Sequence, residues 1–268
     1  MRCGVTVALP LEFARRPRIV YIVTSDISAD VLLRGRLAYL ARHGFDVAVV
    51  CGMGERLAAV SAREGVPCYG IDLARELAPL RDVRALFQLI GLLHRLEPDI
   101  VNASTPKAAL LGLCAAWLTR VPHRVYLLRG LRLETLGRAG RAGMRGIEWL
   151  CATLSECVVC VSPSLAERYL EEGLAPAAKC RVLGTGSSNG IDTARFTRTA
   201  GLEGIAEKLG RELGLVPGCA TLGFVGRPVA DKGIADLLEV YRCVRRERPD
   251  AQLLIAVPNS LGPAAQIH

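Results

Sequence analysis

The amino-acid sequence predicts an α/β fold in which a parallel sheet carries helices on both faces. Short apolar runs at 18–24, 45–51 and 99–103 alternate with amphipathic segments at a spacing of about 25–30 residues, which is typical of βαβ units. The runs are largely continuous, as expected of strands that are buried on both faces. A new series begins at Ala220, so a second, smaller Rossmann-like domain is expected.

The individual elements follow from local signals. A polar loop at 25–28 precedes a single helix at 29–43, which Gly44 ends as a C-cap residue. Pro106 and Pro163, each preceded by serine or threonine, mark two helix starts. Further strands are expected at 66–71, 123–128, 157–161, 180–183, 221–225 and 251–257, and further helices at 79–96, 106–119, 144–154, 163–172, 200–218 and 234–246.

These elements divide the chain into four parts. We interpret 1–17 as an extension, 18–197 as an N-terminal Rossmann-like domain, 198–218 as a linker helix region and 219–268 as a second Rossmann-like domain. The boundary itself is expected within 187–218. The second domain holds one strand, one helix and one more strand, so we interpret it as truncated.

The charge balance favours an anionic partner. Lysine and arginine number 34 against 26 aspartate and glutamate, which gives a net charge of +8. Such a balance fits a phosphate substrate, an anionic membrane surface or nucleic acid. No basic run carries interleaved aromatic residues, so nucleic acid is not expected as a partner.

The ten cysteines form no metal or disulfide pattern. Cys157 and Cys160 lie in an expected strand, where their spacing sends the two side chains to opposite faces. We therefore expect buried, reduced thiols and a cytoplasmic protein. No run of about 18 apolar residues is present, so no membrane-spanning helix is expected.

One stretch, 221–238, combines the features of an anion site. An apolar strand ends at Gly226 and Arg227, and after a short loop Lys232 and Gly233 are expected to open an amphipathic helix. The free N–H groups and the positive dipole end of a helix attract anions, and the two cationic side chains add to them. An exposed basic pair in an ordinary βα loop is the alternative.

In a doubly wound sheet, ligands bind outside the carboxyl ends of the strands. The loops that meet there are expected at 25–29, 52–54, 104–106, 129–143 and 184–190. The first of these loops has no G-x-G-x-x-G pattern, which argues against a nicotinamide-dependent enzyme.

Three segments, in this order, resemble one enzyme family. They are Ser-Thr-Pro-Lys-Ala-Ala-Leu-Leu-Gly at 104–112, Gly-Thr-Gly-Ser-Ser-Asn-Gly-Ile-Asp-Thr-Ala-Arg-Phe at 184–196, and Gly-Phe-Val-Gly-Arg-Pro-Val-Ala-Asp-Lys-Gly at 223–233. Over residues 18–256 the chain resembles the family 4 retaining glycosyltransferases of the GT-B fold. It is most similar to their capsular and exopolysaccharide branch, which acts on lipid-linked acceptors.

The resemblance implies a hexosyltransferase that uses a nucleotide-diphosphate sugar and a lipid-linked saccharide acceptor in envelope or exopolysaccharide synthesis. In the family, the arginine and lysine of the Gly-Arg-x4-Lys segment stabilise the charge of the leaving diphosphate. This assigns catalysis to Arg227 and Lys232. The same two residues, with Gly226 and Gly190, would bind the donor. The family has no DxD metal site, so neither a metal nor a cofactor is expected.

Acceptor binding is assigned by the resemblance to Ser104, Thr105, Arg129, Arg132 and Glu134. Many relatives have a histidine where Arg129 stands. Arginine is too basic to act as a general base but can hold a phosphate; the leaving phosphate oxygen would then deprotonate the incoming hydroxyl. Helix capping by Ser104 and Thr105, and plain solvation of Arg129, are the alternatives.

A basic, glycine-rich stretch follows Arg129 and contains Arg132, Arg138, Arg141 and Arg145. We expect a flexible basic lip near an anionic bilayer, with the protein at the inner face of the plasma membrane. A plain solvated loop is the alternative.

Two family features are absent from the chain. The first βα loop lacks the Gly-Gly pair with which many relatives contact the diphosphate, and the E-x7-E motif that holds the donor is missing. We therefore expect little or no transferase activity from this chain. A non-catalytic lipid- or partner-binding module, derived from a glycosyltransferase N-terminal domain, is the alternative function.

Overall fold

The computed structural model describes residues 15–73, 78–131, 133 and 136–257. The chain forms two compact units, which divide between Ile191 and Asp192. We call them the first unit and the second unit. The division lies inside the interval 187–218, while the acceptor and donor roles of the two parts stay predictions.

The first unit is built on a parallel sheet of seven strands, as predicted. The strands are β1 Arg18–Ile22, β2 Asp46–Gly52, β3 Cys68–Ile71, β4 Ile100–Ser104, β5 His123–Leu128, β6 Cys157–Cys160 and β7 Cys180–Val182. Their order is β3-β2-β1-β4-β5-β6-β7, and each neighbouring pair is parallel. The order reverses between β1 and β4, which is the switch point where such sheets bind ligands.

Helices cover both faces of this sheet. They are α1 Asp26–Leu32, α2 Arg36–Arg42, α3 Arg56–Glu64, α4 Pro79–Leu96, α5 Pro106–Leu118, α6 Arg138–Leu154 and α7 Pro163–Glu171. Because side chains alternate along a strand, β1 sends Val20 and Ile22 to one buried core and Ile19 and Tyr21 to the other. The first core includes α4, α5 and α6, and the second includes α1, α2 and α3.

The single helix expected at 29–43 is wrong, because the chain forms two helices there. Ser25 caps α1 by accepting the Ser28 N–H at 3.2 Å, so this helix begins within the expected polar loop. Gly35 then adopts φ +74°, a left-handed conformation that glycine favours, and separates α1 from α2. The carboxylate of Glu64, in α3, caps α2 by accepting the N–H groups of Gly35 at 2.9 Å and Ala38 at 3.2 Å.

The prediction of a flexible basic lip is wrong for three of its arginines, which lie in a helix. Helix α6 begins at Arg138 rather than at residue 144, so Arg138, Arg141 and Arg145 are helical. Glu172, which follows α7, accepts hydrogen bonds from both Arg141 and Arg145. These ion pairs fix two arginines against a neighbouring helix. Arg132 lies outside the described residues.

A carboxylic acid is buried between α6, β5 and α7. Glu148 is 1% exposed, and the hydroxyl of Tyr126 donates to its Oε2 at 2.8 Å. The hydroxyl of Tyr169 donates to the Glu148 backbone oxygen at 2.9 Å and lies 3.4 Å from Oε2. Burial raises the pKa of Glu148 to about 7, although the hydrogen bonds from the two tyrosines oppose the shift.

The second unit is smaller. It contains α8 Ala200–Glu212, β8 Thr221–Val225, a 3-10 turn at Ala230–Lys232, α9 Ile234–Glu247 and β9 Gln252–Ala256. Strands β8 and β9 pair in parallel. Among the described residues 192–257, Ala251 is the one buried hydrophobic side chain, and Leu202, Ile205 and Leu209 of α8 are exposed. This unit therefore removes little apolar surface from water.

Replacing Glu148 with glutamine is expected to flatten the pH dependence of stability. In the wild type, the unfolded carboxyl ionises near pH 4.5 while the native one keeps its proton up to about pH 7. Stability therefore falls over this window, by roughly 3 kcal/mol. The Glu148→Gln variant has no carboxyl to ionise at this position, so its stability should not fall in this way over the same pH window. Urea unfolding followed by tryptophan fluorescence reports the first unit, because Trp117 and Trp149 are the two tryptophans of the chain.

Glu171→Gln provides the control, because Glu171 is an exposed carboxyl on neighbouring α7. Its stability curve should run parallel to that of the wild type. Parallel curves for Glu148→Gln and the wild type from pH 4.5 to pH 8 would show that the buried carboxyl does not hold its proton.

The amides of the second unit are expected to exchange with deuterium orders of magnitude faster than those of β1 and β4. Protection follows local burial, which is nearly complete around β1 and almost absent around β8 and β9. Exchange measured by mass spectrometry at peptide resolution compares these strands within one sample. Equal protection of β1 and β8 would contradict this expectation.

Candidate functional site

The carboxyl ends of β1 and β4 meet at the switch point of the first unit. There the hydroxyls of Thr24 and Thr105 lie 2.6 Å apart. Thr105 donates to the Ser104 carbonyl, so Thr24 is the donor in the pair. Thr105 has φ +72°, which is rare for a β-branched residue. Such strain is common at binding sites, where surrounding structure holds the backbone in place.

Helix capping by the side chain of Thr105 is not observed, and Ser104 is the last residue of β4. Thr105 occupies the N-cap position of α5, but its side chain makes no capping hydrogen bond. Ser104 is 1% exposed, whereas Thr105 is half-buried. Thr105 is therefore the more accessible of the two predicted acceptor residues, and both roles stay predictions.

In the first βα loop, a carboxylate occupies the place where many relatives have a pair of glycines. Asp26 accepts the N–H of Ile27 at 2.8 Å and that of Arg56 at 3.2 Å. A Cβ added to Gly54 would lie 2.1 Å from an oxygen of the Asp26 carboxylate. Because this carboxylate is an anion, the loop is a poor place for a phosphate.

The glycine-rich segment 184–190 crosses the carboxyl edge of the sheet. Gly186 has φ +89°, and a Cβ there would meet the Val161 carbonyl oxygen at 2.7 Å, so the segment packs closely against the end of β6. Farther along, the side-chain amide of Asn189 donates to the Val31 carbonyl of α1 at 3.2 Å. The segment thus runs from β7 past β6 to the helix that follows β1.

Two arginines converge on Ser188 in the middle of this segment. Arg129, directly after β5, donates from Nη1 to the Ser188 hydroxyl and from Nη2 to the Leu32 carbonyl at 3.4 Å. Arg36, the first residue of α2, donates to the Ser188 carbonyl. Burial, with the nearby charge of Arg36 adding to it, lowers the pKa of Arg129 to about 10. Arg129 therefore stays protonated at neutral pH.

Sequence reasoning found Arg129 but missed Arg36. Arg129 could be found because it follows a buried strand, where ligands of such sheets bind. Arg36 stands in a helical pattern whose local sequence says nothing of Ser188, 152 residues away. A Cβ added to Gly190 would meet no other atom within 4 Å, so sterics do not require glycine there. Glu134, a predicted acceptor residue, lies outside the described residues.

The second unit carries the other predicted half-site. Gly226 follows β8 and donates its N–H to the Ala256 carbonyl at 3.0 Å, and exposed Arg227 comes next. Lys232 ends a 3-10 turn, Gly233 has φ +69°, and α9 begins at Ile234. The expected start of this helix at residue 234 is confirmed: Gly233 is its N-cap residue, and Lys232 lies in the turn before it. Both cations still stand between β8 and α9.

The described part of the chain contains neither a metal-binding cluster nor a reactive cysteine site. There, no three His, Cys, Asp or Glu side chains cluster as metal ligands would, and the cysteines are free thiols. Burial raises the pKa of Cys160 to about 12, which keeps this thiol protonated and unreactive. None of the described helices is both long and apolar enough to cross a bilayer.

The glycosyl transferase 4-like domain family matches residues 29–186. The capsular polysaccharide biosynthesis glycosyltransferase CapM of Staphylococcus aureus is 32% identical over 241 residues, which are 90% of this chain and 61% of that protein. An Escherichia coli UDP-Gal:alpha-D-GlcNAc-diphosphoundecaprenol alpha-1,3-galactosyltransferase is 24% identical over 189 residues, or 70% of this chain and 47% of that protein. The chain thus spans less than two thirds of the length of either relative.

A solved structure agrees in fold. The crystal structure of Anabaena HepE with UDP-glucose superposes with a TM-score of 0.59 at 16% identity, over 89% of this chain and 69% of that one. The family match covers β2 to β7 and Arg129 of the first unit, while β1, Thr24 and Ser188 lie outside the matched residues. The chain therefore belongs to the glycosyl transferase 4-like domain family, and its fold is of the GT-B type.

Proposed function

We propose that this chain belongs to an enzyme that transfers a hexosyl group from a nucleotide-diphosphate sugar to a lipid-linked saccharide in capsular or exopolysaccharide synthesis. The observation that carries the proposal is the placement of Arg227 and Lys232 between the carboxyl end of β8 and the start of α9. The names of the two relatives support it, since one is a capsular polysaccharide enzyme and the other uses UDP-Gal and a diphosphoundecaprenol acceptor.

Charge development explains why two cations are needed in this loop. When the bond between the sugar and the diphosphate breaks, the leaving group gains negative charge. Arg227 and Lys232 stabilise that charge, and the N–H groups at the start of α9 add partial positive charge. Gly190 completes the proposed donor residues. The proposal uses no metal and no cofactor.

The first unit would bind the acceptor. Thr105 and Arg129 lie at the carboxyl ends of neighbouring strands, with Ser104 buried beneath them; Arg132 and Glu134 complete the proposed set. Because Arg129 keeps its proton at neutral pH, it does not act as the general base. An oxygen of the leaving phosphate then takes the proton of the incoming hydroxyl, which is consistent with a retaining reaction.

A cytoplasmic site of action, peripheral to the inner face of the plasma membrane, follows from the same proposal. Nucleotide sugars and a lipid-linked acceptor meet at a membrane surface, and the net charge of +8 favours an anionic bilayer.

A non-catalytic binding module is the second candidate. It is favoured by the distribution of buried apolar side chains among the described residues, which lie in the first unit with the exception of Ala251. The first unit could therefore hold a lipid or a partner protein while the second unit contributes little. Titration with UDP separates the two candidates, since a module of this kind needs no nucleotide.

Replacing Arg227 with glutamine is expected to lower kcat by about 100-fold, because a group that stabilises the transition state is lost. Lys232→Gln should act in the same direction. Turnover is measured with UDP-galactose or UDP-glucose and a polyprenyl-diphosphate-linked GlcNAc acceptor. Arg242→Gln, which removes an exposed arginine from α9, is the matched control and should leave kcat unchanged. Because this chain is expected to have little activity, the measurement compares whatever turnover the wild type retains with that of the variants. Equal losses in all three variants would count against the proposed catalysis.

Removal of divalent metal is expected to leave turnover unchanged. The two side-chain cations of the β8–α9 loop replace the metal in charge stabilisation. The rate is compared in excess EDTA and in added Mg²⁺ at constant ionic strength, because salt also screens the arginine and lysine charges. Loss of turnover in EDTA, restored by Mg²⁺, would overturn this part of the mechanism.

A further inference from the structure

We propose that Arg36 and Arg129, held together by Ser188, form a diphosphate-binding site that lies wholly in the first unit. The anion site rests on geometry alone, whereas its assignment to a diphosphate ester rests on the proposed function. Arg36 is the new member of this site, and the site differs from the cations of the second unit, Arg227 and Lys232.

In the part of the chain that the structure describes, no carboxylate compensates the charge of these two guanidinium groups. Among the described residues, neither Arg36 nor Arg129 forms an ion pair with a carboxylate. Other arginines of the same region are paired: Arg34, Arg56 and Arg63 all contact Asp30. The contrast indicates that an anion from outside the chain fits between Arg36 and Arg129.

Tyr21, a titratable group that interacts with both arginines, does not neutralise this pair. Burial raises the pKa of Tyr21, although the charges of Arg36 and Arg129 oppose the shift. The phenol therefore stays neutral at physiological pH. Two like charges that lie close together, one of them largely buried, repel each other unless an anion joins them.

Arg129 also has a donor without an acceptor. Its Nε is buried and makes no hydrogen bond, while its two terminal nitrogens are held by Ser188 and Leu32. Buried donors almost always have a partner, and an unpaired one beside a second cation calls for an acceptor such as a phosphate oxygen. Planar guanidinium groups bind phosphate in bidentate fashion, and two of them match the two phosphoryl groups of a diphosphate.

The frame around the two arginines is rigid. Arg36 is flanked by Leu33 and Leu37, which are fully buried, and the Glu64 carboxylate caps the helix at this point. Burial opposes ionisation of Glu64, but hydrogen bonds from Gly35 and Arg63 outweigh it and lower its pKa. A preformed pair of donors loses little entropy when the anion binds.

The test measures binding rather than turnover. Isothermal titration at low ionic strength uses inorganic pyrophosphate, UDP and farnesyl diphosphate, each without added metal. The wild type is expected to bind pyrophosphate. Arg36→Gln and Arg129→Gln should each weaken the Kd by about tenfold or more, since each removes charge-assisted hydrogen bonds. Arg42→Gln, an exposed arginine in the last turn of α2, should stay within about twofold of the wild type.

The two esters distinguish the sources of the diphosphate. Tighter binding of UDP than of farnesyl diphosphate, lost in Arg36→Gln, assigns the site to the donor, and the reverse order assigns it to a lipid-linked acceptor. Either result supports the site. Absence of pyrophosphate binding by the wild type, or equal weakening in Arg42→Gln, overturns it.

Folding and function are controlled separately. If the arginines bind an anion, removing one like charge should leave the Tm without ligand no lower than that of Arg42→Gln, and Arg36→Lys should recover part of the pyrophosphate affinity. A clear loss of ligand-free Tm in both glutamine variants, with unchanged affinity, would assign the pair a structural role. Arginine-dependent binding, with a kcat that Arg227→Gln lowers no more than Arg242→Gln does, keeps this inference and rejects the proposed catalysis. A kcat that depends on Arg227, with unaltered binding in the Arg36 and Arg129 variants, keeps the proposed catalysis and rejects this inference.

Discussion

Burial of the central strands on both faces is the constraint on which the first unit depends. β1 supplies side chains to two cores, so neither helical layer can pack without it. Because these strands have no solvent-facing side, polar and charged groups collect where the strands end. Thr24, Thr105 and Arg129 stand at such ends. The candidate site is thus a consequence of how the sheet is buried.

The same constraint explains which elements could be predicted from sequence. Strands buried on both faces appear as continuous apolar runs, and β5, whose last three residues are buried, has the predicted bounds. β8 also has its predicted bounds, although it is largely exposed, because its apolar run ends at Gly226. Helix α4 also has its predicted bounds, because a proline opens it and a Glu-Pro pair follows it. These signals lie within a few residues of the boundary that they mark.

Other boundaries depend on distant contacts and could not be predicted. The break between α1 and α2 needs the carboxylate of Glu64, which lies 29 residues beyond Gly35 in the chain. The early start of α6 places arginines where they pair with Glu172, again far along the sequence. The site follows the same rule: Arg129 could be predicted from its strand, whereas Arg36 becomes a site residue only through Ser188.

Gly186 has no side chain, and this allows Ser188 to lie where it contacts both arginines. Any side chain at position 186 would collide with the end of β6 and would also have to accept a left-handed backbone. The segment would then lift from the sheet, and Ser188 would move away from both guanidinium groups. The close approach at position 186 therefore constrains the position of Ser188, two residues farther along the segment. A substitution at position 186 would therefore disturb the contacts of Arg36 and Arg129 with Ser188 at the same time.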